Sequence, residues 1–117
     1  MNLADFQGTV FESSSGRTPQ FAAFSSAYRR HLVNSLKGSD FKLVTWSVGH
    51  FYCSAFIENQ HNFKLAYINF SDVRFFPGDW LNHVLVRSAQ HMKDYTGGRN
   101  TYTPLCHLVA QLWEVTA

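Results

Sequence analysis

The sequence predicts an α+β domain, a three-stranded antiparallel meander over about 42–48, 51–58 and 63–71 with helices over about 19–37, 79–95 and 103–116, in the order αβββαα. Three observations carry this reading. Thr18-Pro19 and Thr103-Pro104 each place an N-cap hydroxyl and a proline ahead of apolar residues at helical spacing. Gly49-His50 sits between two β-rich runs, as in a two-residue hairpin turn with Gly first. Asp79 precedes a third amphipathic stripe that ends at Gly97-Gly98.

Taken in order, residues 1–17 form a weakly ordered lead-in whose Leu3, Phe6, Val10 and Phe11 suit docking on the body, while Ser13-Ser14-Ser15-Gly16 suits a flexible join. Residues 18–117 make the single α+β domain. The first helix buries Phe21, Phe24, Tyr28, Leu32 and Leu36 on one stripe, and Gly38 stops it. Arg29, Arg30 and His31 flank that stripe. Val73 to Gly78 is a connector, since Pro77-Gly78 ends any strand. Trp80, Leu81, Val84, Leu85, Ala89 and Met92 give the second helix. Arg99 to Tyr102 is a loop, and Leu105, Leu108, Val109, Leu112 and Trp113 form the last stripe.

The meander's register follows from its turns. The Gly49-His50 turn sets Trp46 opposite Cys53 and Val44 opposite Ala55; the turn at Asn59–Asn62 sets Ala55 opposite Ala66 and Cys53 opposite Ile68. One face is then wholly apolar. The other carries Leu43, Thr45, Tyr52, Ser54, Phe56, Leu65 and Tyr67, too apolar for a plain solvent face. The third helix, the lead-in, a dimer mate or a partner protein would each serve to cover it.

Composition narrows the function classes. Charged residues make up only 15% of the 117, and eleven Phe, five Tyr and three Trp raise the prospect of a protein-binding surface. A net charge of +2 lacks the dense basic footprint of nucleic-acid binding. Met1 to Arg17 shows no signal peptide and no stretch is long enough to span a membrane, so a cytoplasmic protein is expected, with Cys53 and Cys106 as reduced, buried thiols.

Chemistry-bearing constellations are few. At helical spacing His83, Arg87 and His91 form a row beside Asp94, able to bind an anion or simply to face solvent. His and Cys spacing matches no metal site, and no cofactor motif is present. The loop Thr96-Gly97-Gly98-Arg99-Asn100 suits an anion nest, though Gly-Gly after a helix is first a C-cap. Asp72 and Arg74, two apart at a strand exit, point the same way and suit a structural ion pair that ties the connector to a helix, with Arg87 or Asp94 as partner. Tyr52, Phe56 and Tyr67 outline a base-stacking platform but lack basic flanks.

These features favour a small non-enzymatic protein–protein interaction domain, acting as an inhibitor or adaptor; a phage or mobile-element inhibitor of a host complex is one such case. The expected contact residues are Tyr52, Phe56 and Tyr67 with the rim Arg87, Asp94, Arg99 and Asn100. The expected partner is a protein, with a homodimer as one form, no cofactor and no membrane. The alternative is a small anionic-ligand or phosphoryl-binding domain, enzymatic or not, at the Thr96–Asn100 loop, and the third reading is single-stranded nucleic-acid binding.

Overall fold

The computed structural model describes residues 2–12, 18–95 and 98–117. Among these the chain is α+β, with a five-stranded antiparallel sheet and three α-helices: α1 (Pro19–Leu36), β1 (Phe41–Val48), β2 (Cys53–Asn59), β3 (Leu65–Asn69), α2 (Asp79–Asn82), β4 (Val84–Ala89), β5 (Thr101–Thr103) and α3 (Leu108–Val115). The strands lie in chain order, each hydrogen-bonded to the next. No helix of the described residues is long and apolar enough to cross a membrane.

Helix α1 starts where the capping signal places it, with Thr18 Oγ1 accepting from the Phe21 N–H at 3.2 Å and Pro19 at the first position. Its apolar stripe packs on one sheet face. There Phe24 meets Phe6, Phe11, Phe21, Tyr28, Phe70 and Trp80 at ring-centroid distances from 5.1 to 5.9 Å. Leu3, Phe6 and Phe11 bring the N-terminal segment into this core; Ser13–Arg17 lies outside the described residues. Tyr28 is wholly buried, which pushes its phenol pKa far above the ordinary tyrosine value, and its hydroxyl donates to the Trp80 carbonyl.

The meander is present, but its turns are longer than predicted. Val48 pairs with Cys53, Trp46 with Ala55 and Ala55 with Ile68, a slip of two residues in each hairpin. The first turn spans Gly49 to Tyr52, with Gly49 N–H donating to the Tyr52 carbonyl at 2.9 Å and Phe51 at φ +62°. A left-handed phenylalanine costs about 1–2 kcal/mol. Full burial of its ring against Phe21 offsets that cost. A slip of two preserves side-chain parity, so the two faces survive the change.

The start of β1 does change face, Lys42 included, which pairs with Glu58 on the Phe56 side. A bulge between Leu43 and Thr45 inserts Val44, so Leu43 pairs with Ile57 and turns to the helix-covered side, while Val44 is left outward. A bulge leaves no mark in apolar alternation.

The predicted helix over 79–95 is a single turn, α2, followed by strand β4. Trp80, Leu81, Val84 and Leu85 satisfy a helical stripe, but Val84 and Val86 also alternate with Leu85 and Arg87, and the β-branched residues settle inward against the core. The predicted loop 99–102 contributes β5, paired through Val84↔Thr103 and Val86↔Thr101. The predicted helix over 103–116 divides into a 3₁₀ turn, Leu105–His107, and α3. Helix α3 lies on the α1 side, with Leu108 and Leu112 in the shared core and Trp113 on Phe41, so it does not cover the far face. A buried Asn59–Thr116 hydrogen bond of 3.1 Å latches its C-terminal end to the β2–β3 turn. Cys53 is buried as expected, but Cys106 is exposed.

Candidate functional site

Two rows of cross-strand neighbours shape the far face. Thr45, Phe56, Tyr67 and Arg87 form one, and Ser47, Ser54 and Asn69 form the next. The first row is tall, the second short. Phe56, Tyr67 and Arg87 are nonetheless only 2%, 8% and 3% exposed. Their cover is neither a helix nor a second sheet but the start of the β4–β5 loop, which folds back over them.

Arg87 fastens that loop. Its guanidinium donates to the backbone carbonyls of Asp94 and Ser88, lies 3.9 Å from the Asp94 carboxylate and sits 4.5 Å above the Tyr67 ring. Asp94 in turn accepts from the Gln90 N–H at 2.9 Å. Tyr95 is thereby set edge-on to Phe56 and Tyr67, at 5.5 and 5.9 Å, with most of its ring outward. Gly98 closes the loop at φ +79°, where an added Cβ would lie 2.6 Å from the Ser88 carbonyl oxygen. Thr96 and Gly97, two of the five residues of the predicted anion nest, lie outside the described residues.

Beyond this cover the short row opens a trough of about 550 Å³, floored by Ser47, Ser54 and Asn69 and flanked by Tyr52, Tyr67 and Tyr95. Asn69 Nδ2 donates to the Tyr67 hydroxyl at 2.9 Å and fixes it. Tyr52 lies in the turn rather than on β2, draped across Gly49, where a Cβ would stand 2.2 Å from the ring. The glycine makes room for the tyrosine wall.

Asp72 closes one end of the trough. Its carboxylate accepts Arg74 N–H at 2.9 Å, Nε at 3.1 Å and Nη2 at 2.7 Å, and the guanidinium stacks over Phe51 and Phe75. The two residues therefore form an ion pair with each other, local to the connector. The Arg74 hydrogen bonds hold the Asp72 carboxyl below the usual carboxylate range. A depressed folded-state pKa means the pair stabilises fully above the ordinary carboxylate value, near pH 4, and is lost as pH falls through the lower folded value. Asp72→Asn is expected to lower stability at neutral pH and to flatten the loss below about pH 4. Urea midpoints from neutral to strongly acidic buffer check this, and parallel curves for the two proteins would contradict it.

The sequence-predicted residues thus fall into three groups. Tyr52 and Tyr67 share the trough. Phe56, Arg87 and Asp94 are packed under and within the loop, so Phe56 offers no open stacking face. Arg99 lines a different hollow with Gln111 and Glu114, and Asn100 is exposed. The row His83, Arg87, His91 dissolves with the helix: His83 stacks on Tyr102, Arg87 is buried, and His91 sits in a turn with Nδ1 accepting from the Lys93 N–H. No described cavity brings His83, Arg87, Arg99 and Asp72 together. Ser47 and Asn69 join the site through an alignment of small polar positions across three strands that only the true register reveals, and Tyr95 joins it from the β4–β5 loop, which no strand pattern marks.

No family model, curated protein or solved structure matches the chain.

Proposed function

We propose that the chain is a non-enzymatic protein–protein interaction domain, an inhibitor or adaptor that seats a segment of its partner in the tyrosine trough. The observation that carries this reading is the convergence of Tyr52, Tyr67 and Tyr95 on an open concavity with a hydroxyl and amide floor. Tyrosine gives large contact area with little side-chain entropy to lose, and it is enriched among residues that dominate binding energy. Ser47, Ser54 and Asn69 supply donors and acceptors that an extended peptide backbone needs. Asp72 is the one ionised side chain lining the trough among the described residues, so charge does not favour a phosphate-bearing ligand there.

Selection of a displayed random-peptide library on the immobilised full chain tests the reading. Recovered binders are expected to lose about 2 kcal/mol, roughly thirtyfold in Kd, on Tyr52→Ala or Tyr95→Ala. Failure to recover binders, or binders indifferent to both substitutions, would overturn it.

A further inference from the structure

A second concavity, on the helical side and independent of the trough, carries a different chemistry. It encloses about 710 Å³ between an N-terminal 3₁₀ turn (Leu3–Phe6), α1, α2 and the start of α3. That volume lies within the range of small-molecule sites, about 300–1,000 Å³.

Its walls differ in kind. One is apolar: Trp80 and Leu81 from α2, and Leu105, Leu108 and Val109 from the last helical segment. The facing wall comes from α1, where Ala27, Arg30, His31 and Asn34 fall at i, i+3, i+4 and i+7 on a single stripe. This stripe is separate from the one that buries Phe21, Phe24, Tyr28 and Leu32, and it leaves Arg30, His31 and Asn34 exposed toward the opening. Asn2 and Gln7 add amides at the rim. No acidic side chain lines the cavity among the described residues. Arg30 has another contact within the chain and contributes its charge to this wall, with His31 and Asn34 as hydrogen-bonding groups beside it.

An apolar wall facing a basic, amide-bearing one recognises a molecule of the same division. We propose that this cavity binds a small amphiphilic carboxylate, its aliphatic chain against Leu81, Leu105 and Val109 and its head group toward Arg30, His31 and Asn34. The chain would gain by leaving water, and the carboxylate by the guanidinium charge. Cys106 lines the same cavity and is exposed, whereas Cys53 is buried, so an occupant shields one thiol selectively.

The test uses the full chain, with decanoate as the probe and decanol as its uncharged counterpart. Calorimetry is expected to show saturable one-site binding of decanoate, with decanol weaker by at least about tenfold. Decanoate is expected to slow alkylation of Cys106 by iodoacetamide, read by mass spectrometry. Val109→Trp, which fills the apolar side from a half-buried position, should weaken decanoate by about tenfold or more. Arg30→Glu, on the exposed part of α1, should weaken decanoate comparably while leaving decanol unchanged. The proposal is overturned by any of three results: no saturable binding with unprotected Cys106, unchanged binding by Val109→Trp, or equal affinity for decanoate and decanol.

Discussion

Phe24→Ala is expected to remove about 3–5 kcal/mol of folding stability, the cost of truncating a large, fully buried aromatic side chain. Phe24 has no exposed surface and its ring meets six aromatic partners: Phe6 and Phe11 from the N-terminal segment, Phe21 and Tyr28 from its own helix, Phe70 at the exit of β3 and Trp80 of α2. It is the point where elements far apart in sequence close on one another. Domains of this kind have about 5–15 kcal/mol in total, so the variant should be largely unfolded at modest urea concentration. Phe24→Leu keeps most of the volume and should recover more than half of the loss. Equilibrium urea denaturation measures both. An alanine variant within about 1 kcal/mol of the parent would mean that the N-terminal segment collapses into the cavity, a relaxation that lowers such costs.

The same core explains what could be read from sequence. Phe21, Phe24, Tyr28, Leu32 and Leu36 identify their helix because cap, proline, periodicity and stop glycine all agree. The sheet faces are legible for a weaker reason: the observed pairing differs from the predicted one by two residues in each hairpin, which parity forgives. Val44 had no such protection, since a bulge is fixed by the pairing and not by the pattern. Strand β4 reads as helix in the sequence because the six residues Val-Leu-Val-Arg-Ser-Ala fit helical spacing when joined to Trp80 and Leu81; the tie is broken by the open edge of β3, a tertiary fact. Three-residue β5 is held by that same edge chemistry. The Arg87–Asp94 approach was anticipated on the wrong element, and it survives because a strand followed by a tight loop also returns a residue seven places on to its start.

That approach yields the second large effect. Arg87→Ala is expected to cost about 3 kcal/mol, in the range for taking one partner from a buried ionic contact. The guanidinium satisfies two backbone carbonyls, faces the Asp94 carboxylate and fills the space over Tyr67, and alanine does none of these. Asp94→Ala should cost less, about 1–2 kcal/mol, because the carbonyl that accepts from Arg87 belongs to the backbone and remains. The double variant should fall short of the summed losses by about 1 kcal/mol, the signature of direct coupling. Urea denaturation of the four proteins measures the cycle, and strict additivity would show that Arg87 and Asp94 act separately. Arg87 lies outside the trough, yet its loss should weaken peptides selected on the parent, because Tyr95 keeps its place only while the loop is fastened. Arg87→Lys separates the two roles: the charge beside Asp94 persists, while the planar fork that reaches both carbonyls and covers the Tyr67 ring is gone. If the loop is positioned by that fork, lysine restores part of the stability and little of the binding.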